Sequence, residues 1–376
     1  MSEPISKIPN GFRYHSEAGP RLRRLVEETA TSVFSGWSYE EIITPTVDYY
    51  SLFESGMGSA EANRAFRFID ADGRLLALRP DVTSGIARAA ATLFAKRPRP
   101  LRLCYAASVF HQQGQSHADW RRESKQLGCE LIGCNGLVAD IEVLLIALEI
   151  LRSLPRELTF VITLNDVEIF NGIAESLALD SRTRDEFRQL IDFRDTAQLQ
   201  MFVANYSSPD DSRDFTQVIQ LSGKGEIFDR ARRVITNARS FVALNRLEAL
   251  WSMLVSLGVA ENFAIDLGDV SRLDYYTGLT LRIYVDGVGS DVGSGGRYDN
   301  LISRFGKSEP AIGFVLKLDA LAELIATRQQ QIPESTQQTI NCNGDDAVGA
   351  FRKAMNLRAQ GHKVAIQSEE VNACRS

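Results

Sequence analysis

The stretch Ser271-Arg-Leu-Asp-Tyr-Tyr-Thr-Gly278 constrains the fold most, because it sets two adjacent tyrosines and an acid between apolar strand-forming runs. The run Tyr275 to Val285 reads as a strand. In a half-buried strand neighbouring side chains point to opposite faces, so Tyr275 and Tyr276 do not both fill one core. Either one of them faces a pocket, or the strand is packed on both sides and its hydroxyls reach nearby acceptors. Local pattern leaves both open.

A second polar stripe stands in another strand. Leu101 to His111 is an apolar strand, Gln112 to Arg122 a polar loop, and Ser124 to Ile132 a returning strand. Along that return Gln126, Gly128 and Glu130 alternate with Lys125, Leu127, Cys129 and Leu131, so Gln126 and Glu130 share a face. The glycine between them opens space above the strand where a small molecule could sit. A solvent-facing polar stripe is the competing reading. Upstream, Ala65 to Ile69 and Leu75 to Leu78 flank Asp70-Ala-Asp-Gly-Arg74, the turn chemistry of a hairpin. That hairpin delivers Arg79-Pro-Asp-Val-Thr83 to the head of a helix, where Asp81 reads locally as a cap.

The remaining elements frame these. Pro20 to Phe34 has helical spacing, and Tyr39 to Val47 reads as a strand broken by Pro45. Val138 to Leu151 is an apolar helix and Leu158 to Leu164 a strand. Asp166 to about Leu257 reads as a mainly helical insertion, with a turn cluster at Asn205 to Ser212. Strands return at Phe263 to Leu267, Asp291 to Ser294 and Ala311 to Leu316, followed by a helix to about Ile325. The glycines of Gly293-Ser-Gly-Gly-Arg-Tyr-Asp299 lack a Gly-Lys-Ser/Thr ending, so tight strand-to-helix packing explains them better than a phosphate loop. The expected domains are a core over 1–328, a Gln-rich linker over 329–340, and a short fragment over 341–376 with a helix from Asp345 to Ala359 and a strand from Lys363 to Gln367.

Composition excludes more than it selects. With 42 basic against 48 acidic residues the formal charge is −6, so the broad basic footprint of a nucleic-acid binder is absent. Five scattered cysteines without a Cys-x-x-Cys pair, and four histidines, give neither a disulfide framework nor a metal site. A reduced cytoplasmic protein with no cofactor is expected. The first residues lack the apolar centre of a signal peptide, and no membrane span is expected.

Five blocks in order resemble histidyl-tRNA synthetase, a class II aminoacyl-tRNA synthetase. They are Leu78-Arg-Pro-Asp-Val-Thr83, Gln126-Leu-Gly-Cys-Glu-Leu-Ile-Gly133, Leu273-Asp-Tyr-Tyr-Thr-Gly278, Gly295-Gly-Arg-Tyr-Asp299 and Ala311-Ile-Gly-Phe314. The resemblance implies an α+β class II synthetase-like core, a mostly antiparallel sheet flanked by helices with a helical insertion. It also implies a histidine pocket built from Asp81, Thr83, Gln126, Glu130, Tyr275, Tyr276 and Tyr298. Carboxylate and hydroxyl acceptors suit an α-ammonium, and Glu130 with a tyrosine hydroxyl suits the two imidazole nitrogens. The family usually has Glu where Asp81 stands.

Activation of an amino acid makes a further demand, because growing charge on phosphoryl oxygens is met in this family by arginines and divalent metal. Here those arginines are missing. Where the family has Arg after the Phe matching Phe110, and Glu two residues later, this chain reads His111-Gln112-Gln113. The family's closing Gly-Leu-Glu-Arg is Lys317-Leu-Asp-Ala320, and Ser271 stands at the arginine of Arg-Gly-Leu-Asp-Tyr-Tyr. Each lost donor typically removes a hundredfold or more, so three together predict negligible adenylation. Arg121, Arg122 or Arg272 acting instead is the alternative. Asp346 to Val364 resembles only the opening of the synthetase's anticodon-binding domain.

A histidine pocket kept while adenylation is lost resembles the family of ATP phosphoribosyltransferase regulatory subunits, synthetase paralogues of histidine biosynthesis. That resemblance implies a non-catalytic chain that partners the short-form catalytic subunit, binds L-histidine for feedback inhibition, and forms a homodimer within a hetero-oligomer, with no tRNA. A divergent histidyl-tRNA synthetase and an interaction module with a dead pocket are the rival readings.

Overall fold

A computed structural model of the chain describes residues 6–112, 121–154, 158–206, 216–270, 275–328, 337–342 and 346–368. Gln113, Ser271 to Asp274, and parts of the turn cluster and Gln-rich stretch lie outside the described residues. The chain divides into two compact units, residues 1–326 and 327–376.

In the larger unit the strands, in chain order, are β1 (Glu40–Glu41), β2 (Val47–Tyr49), β3 (Arg67–Ile69), β4 (Leu75–Leu78), β5 (Leu101–Phe110), β6 (Glu123–Ile132), β7 (Phe160–Asp166), β8 (Ser222–Gly223), β9 (Phe263–Asp266), β10 (Leu279–Val285), β11 (Gly293–Arg297) and β12 (Ala311–Lys317). Nine of them form one sheet in the order β1-β5-β6-β12-β11-β10-β7-β9-β8. Only the β1/β5 and β7/β9 pairs are parallel. This is the expected α+β architecture, a mostly antiparallel sheet with helices against it. The hairpin forms as its turn chemistry predicts and joins β2 in a three-stranded sheet, β2-β4-β3.

One helix covering the main sheet is Gly19–Gly36, whose buried Leu22, Val26, Ala30, Val33 and Phe34 recur at helical spacing. Phe34 meets Phe314 of β12 with ring centroids 6.2 Å apart. The apolar helix Leu137–Ser153 packs beside it and against β6 and β12. A second cluster joins Leu101, Leu103, Tyr105, Ala107 and Val109, alternate residues of β5, to Phe53, Ile86, Tyr275 and Tyr298. Each fully buried large apolar side chain contributes about 1.5–3 kcal/mol. These contacts hold the hairpin and the helix Thr83–Ala91 over the sheet.

The segment 39–47 breaks at Pro45 as expected, with only Glu40 and Glu41 pairing with β5 before it and β2 beginning after it. Two expectations change. The run 275–285 pairs only from Leu279, so Tyr275 and Tyr276 precede the strand and the alternation rule does not divide them between faces. The glycines of 293–299 lie in a strand at mid-sheet, β11, where Cβ atoms added at Gly293 and Gly295 would meet the neighbouring strands rather than a helix.

The region from 166 to 257 is mainly helical as expected, and four of its helices open on side-chain caps. Asp166, Asp180, Asp195 and Asn237 accept from the backbone N–H of Glu168, Thr183, Gln198 and Ser240. It is not detached from the core, since Ser222–Gly223 pairs with β9 and the helix Ala238–Ser256 packs on β7. No described helix is long and apolar enough to cross a membrane.

The smaller unit pairs β13 (Gln337–Cys342) in parallel with β14 (Lys363–Ser368), and the helix Ala347–Ala359 joins them. β13 begins inside the stretch that composition assigns to a linker. Ile340, Ala350, Ala354 and Val364 form its core.

Candidate functional site

All seven residues singled out in the sequence line one cavity of about 140 Å³ over the face of β6, β12 and β11. That is below the ~300–1,000 Å³ usual for drug-sized ligands. The strands set the floor by register. Glu130 on β6 stands opposite Gly313 on β12, which stands opposite Gly296 on β11. A Cβ at Gly313 would run into the Glu130 carboxylate, and one at Gly296 would lie 2.9 Å from the Tyr276 ring. Two glycines therefore let a carboxylate and a tyrosine lie flat on the sheet.

Glu130 is only 2% exposed. Its Oε1 accepts from the Thr83 hydroxyl at 2.8 Å, and its Oε2 accepts from the Tyr298 hydroxyl. Burial pushes its carboxyl up to about 7, and the hydrogen bonds from Tyr298 and Thr83 hold it down against that rise. Asp81 does cap the helix, since its Oδ2 accepts from the Ser84 hydroxyl at 3.0 Å and from the Ser84 N–H at 3.4 Å. Its Oδ1 is buried with no hydrogen-bond partner. Burial raises this carboxyl to about 6. A buried carboxylate oxygen without a donor is unfavourable until a cation or N–H group reaches it.

Tyr275, Tyr276 and Tyr298 form an aromatic wall. Tyr275 meets Tyr276 edge-on at 4.9 Å between centroids and Tyr298 at 5.9 Å. Burial raises all three phenols above their ordinary range, so they remain O–H donors. Gln126 shares the Glu130 face, and that face opens on the cavity rather than on solvent. The space above Gly128, however, is not vacant. Tyr105, directly opposite on β5, lays its ring over the glycine, and an added Cβ would come within 2.5 Å of it.

Periodicity did not single out Glu61, Tyr105, His111, Asp291, Ser294 and Lys317, which also line the cavity. Their signal lies in register: Tyr105 is set opposite Gly128, Ser294 opposite Val315, and Lys317 opposite Gln126. None of this is readable from one strand at a time.

Where the resemblance lacks arginines, the structure offers no substitute among the described residues lining the cavity, which include none. Arg121 pairs with Glu323. Arg122 lies over the Phe66 ring at 4.6 Å. His111 is buried, and Asp319 pairs with Arg23 and accepts the Lys125 N–H at 2.9 Å. Among the described lining residues there are four carboxyl groups, Glu61, Asp81, Glu130 and Asp291, and one ammonium, Lys317; Glu61 pairs with Arg64 at 3.1 Å, and burial raises Asp81 and Glu130.

The sequence model of the histidyl-tRNA synthetase family matches residues 11–321. The chain is 33% identical over 347 residues to the ATP phosphoribosyltransferase regulatory subunit of Moorella thermoacetica, spanning 92% of this chain and 88% of that one. Against the ATP phosphoribosyltransferase regulatory subunit of Syntrophotalea carbinolica it is 33% identical over 371 residues, spanning 97% and 86%. Among solved structures, a Bacillus halodurans protein described as an ATP phosphoribosyltransferase regulatory subunit/histidyl-tRNA synthetase shares the fold with a TM-score of 0.86 at 27% identity, over 98% of this chain and 95% of that one. Histidyl-tRNA synthetase of a Nostoc species gives 0.78 at 20% identity, over 97% and 86%, a likeness of fold alone. The chain belongs to the histidyl-tRNA synthetase family and, within it, to the ATP phosphoribosyltransferase regulatory subunits.

Proposed function

We propose that this chain is a non-catalytic subunit that supports the short-form catalytic subunit of ATP phosphoribosyltransferase and binds L-histidine in the cavity over β6, β12 and β11 as the feedback signal. The observation that carries this is the make-up of the lining: among the described residues, four carboxyl groups, one ammonium and no arginine. A triphosphate brought there would meet repulsion where transfer chemistry needs fixed positive charge. An amino acid with an ammonium group and a ring of N–H donors and acceptors meets complementary groups instead. Asp81 Oδ1 takes the ammonium, while Glu130 and the tyrosine hydroxyls take the imidazole.

Feedback then works by differential affinity. Histidine bound more tightly in one conformation of the assembly shifts the population toward it, a tenfold preference corresponding to about 1.4 kcal/mol. A homodimer within a hetero-oligomer is the assembly that accompanies this role. Calorimetry of the chain alone should show histidine uptake, and ATP-dependent pyrophosphate exchange should be absent. Mixed with a short-form catalytic subunit, the chain should co-purify and raise activity, and histidine should lower it. Exchange turnover, or a mixture indifferent to histidine, would refute the proposal.

A further inference from the structure

Building on the histidine pocket proposed above, we infer that Lys317 receives the α-carboxylate of the ligand and makes the cavity select an intact amino acid over its amine. The cavity has two ends. Glu130, Thr83 and Tyr298 close one. At the other, Gln126 stands opposite Lys317, four residues along the same face of β6, about 13 Å away at ~3.3 Å per residue.

Between the ends runs the segment 79–83. The Arg79 carbonyl accepts the N–H of Phe110, which pairs with Glu123 beyond Gln126 on β6, at 3.0 Å, and the Thr83 hydroxyl reaches Glu130. Asp81, with its partnerless Oδ1, lies between them. A histidine laid along this line has its ring at Glu130, its ammonium at Asp81 and its carboxylate at the Gln126–Lys317 end. A carboxylate entering a cavity with four carboxyl groups needs a cation, and Lys317 is the one Lys or Arg among the described lining residues.

Nearby guanidiniums are committed elsewhere. Arg79 donates to the carbonyls of Ser108 and Thr44 at 2.7 Å, Arg282 holds Asp269 at 2.7 Å, and Arg297 holds Asp140. The Lys317 Nζ sits 3.1 Å from Asp291 Oδ2, a largely buried pair with 15% and 25% side-chain exposure. Asp291 is thus a positioning residue that keeps the ammonium at the cavity wall. The lysine also falls where the synthetase motif has glycine, so this chain has a cation of its own in a site that lacks the family's arginines.

The test is calorimetry of the full chain with L-histidine and with histamine, which lacks the carboxylate. The unaltered chain should bind histidine more tightly than histamine. Lys317→Met should weaken histidine about 10- to 100-fold while leaving histamine unchanged or tighter, and Lys317→Arg should keep most of the preference. Retained histamine binding reports that the altered cavity is folded. An unaltered chain that prefers histamine, or a Lys317→Met chain with an unchanged histidine-to-histamine ratio, overturns the role of Lys317 while leaving the histidine pocket standing. Binding of neither compound by the unaltered chain overturns both.

Discussion

Glu130→Gln isolates the electrostatics of the cavity floor. Glutamine keeps the shape of the side chain and removes its charge, leaving Thr83 and Tyr298 in place. Burial raises the carboxyl from 4.5 to about 7, so the folded ligand-free chain holds this proton more tightly than the unfolded chain. A group of that kind contributes stability that is complete below the unfolded value and lost as pH climbs through the folded one. A rise of this size corresponds to about 3 kcal/mol at full extent. Urea unfolding of the two chains side by side, read as the difference between them, cancels the titrating groups that do not sense Glu130, and Asp81, whose charge raises the Glu130 carboxyl, adds to the same downward trend. The original chain should lose about 2–3 kcal/mol relative to Glu130→Gln between about pH 5 and pH 8.5. Any fixed difference in hydrogen-bond quality, about 1 kcal/mol, displaces the whole curve without changing its slope. A difference flat to within about 0.5 kcal/mol would mean that this carboxylate ionises as if in water, and the account of the cavity floor would be wrong.

Three further outcomes follow from packing and charge. Gly313→Ala drives a methyl into the Glu130 carboxylate and should lower stability by about 1–3 kcal/mol while abolishing histidine uptake, checked by urea unfolding and calorimetry. Tyr105→Ala uncovers Gly128 and leaves a hole beside the cavity, and should destabilise by about 3–5 kcal/mol in the same unfolding assay. Arg297→Met strands the buried Asp140 and should remove about 3–5 kcal/mol, most of it restored when Asp140→Leu is added.

The residue pattern alone settled much of the framework. Alternation in 124–132 put Gln126 and Glu130 on one face, the Asp-Gly turn made the hairpin, and helical spacing placed Leu22 to Phe34 against the sheet. These hold because each depends on neighbours within a few residues. The candidate site was legible as a set of residue types, since Asp81, Thr83, Gln126, Glu130, Tyr275, Tyr276 and Tyr298 stand in blocks resembling a known family, and all seven line the same cavity.

What strand pairing alone decided was the space between those residues. Gly128 looked like an opening, but Tyr105 fills it from the next strand, and the opening lies instead where Gly313 and Gly296 face Glu130 and Tyr276. Tyr275 and Tyr276 were divided between two faces by a strand rule that stops applying before Leu279, so both reach the cavity. Lys317 carries no local mark of function and gains its place only because β12 sets it opposite Gln126. Local sequence fixes side-chain direction along one strand, whereas the charge and volume of a cavity are sums over strands far apart in the chain, set only when the sheet closes.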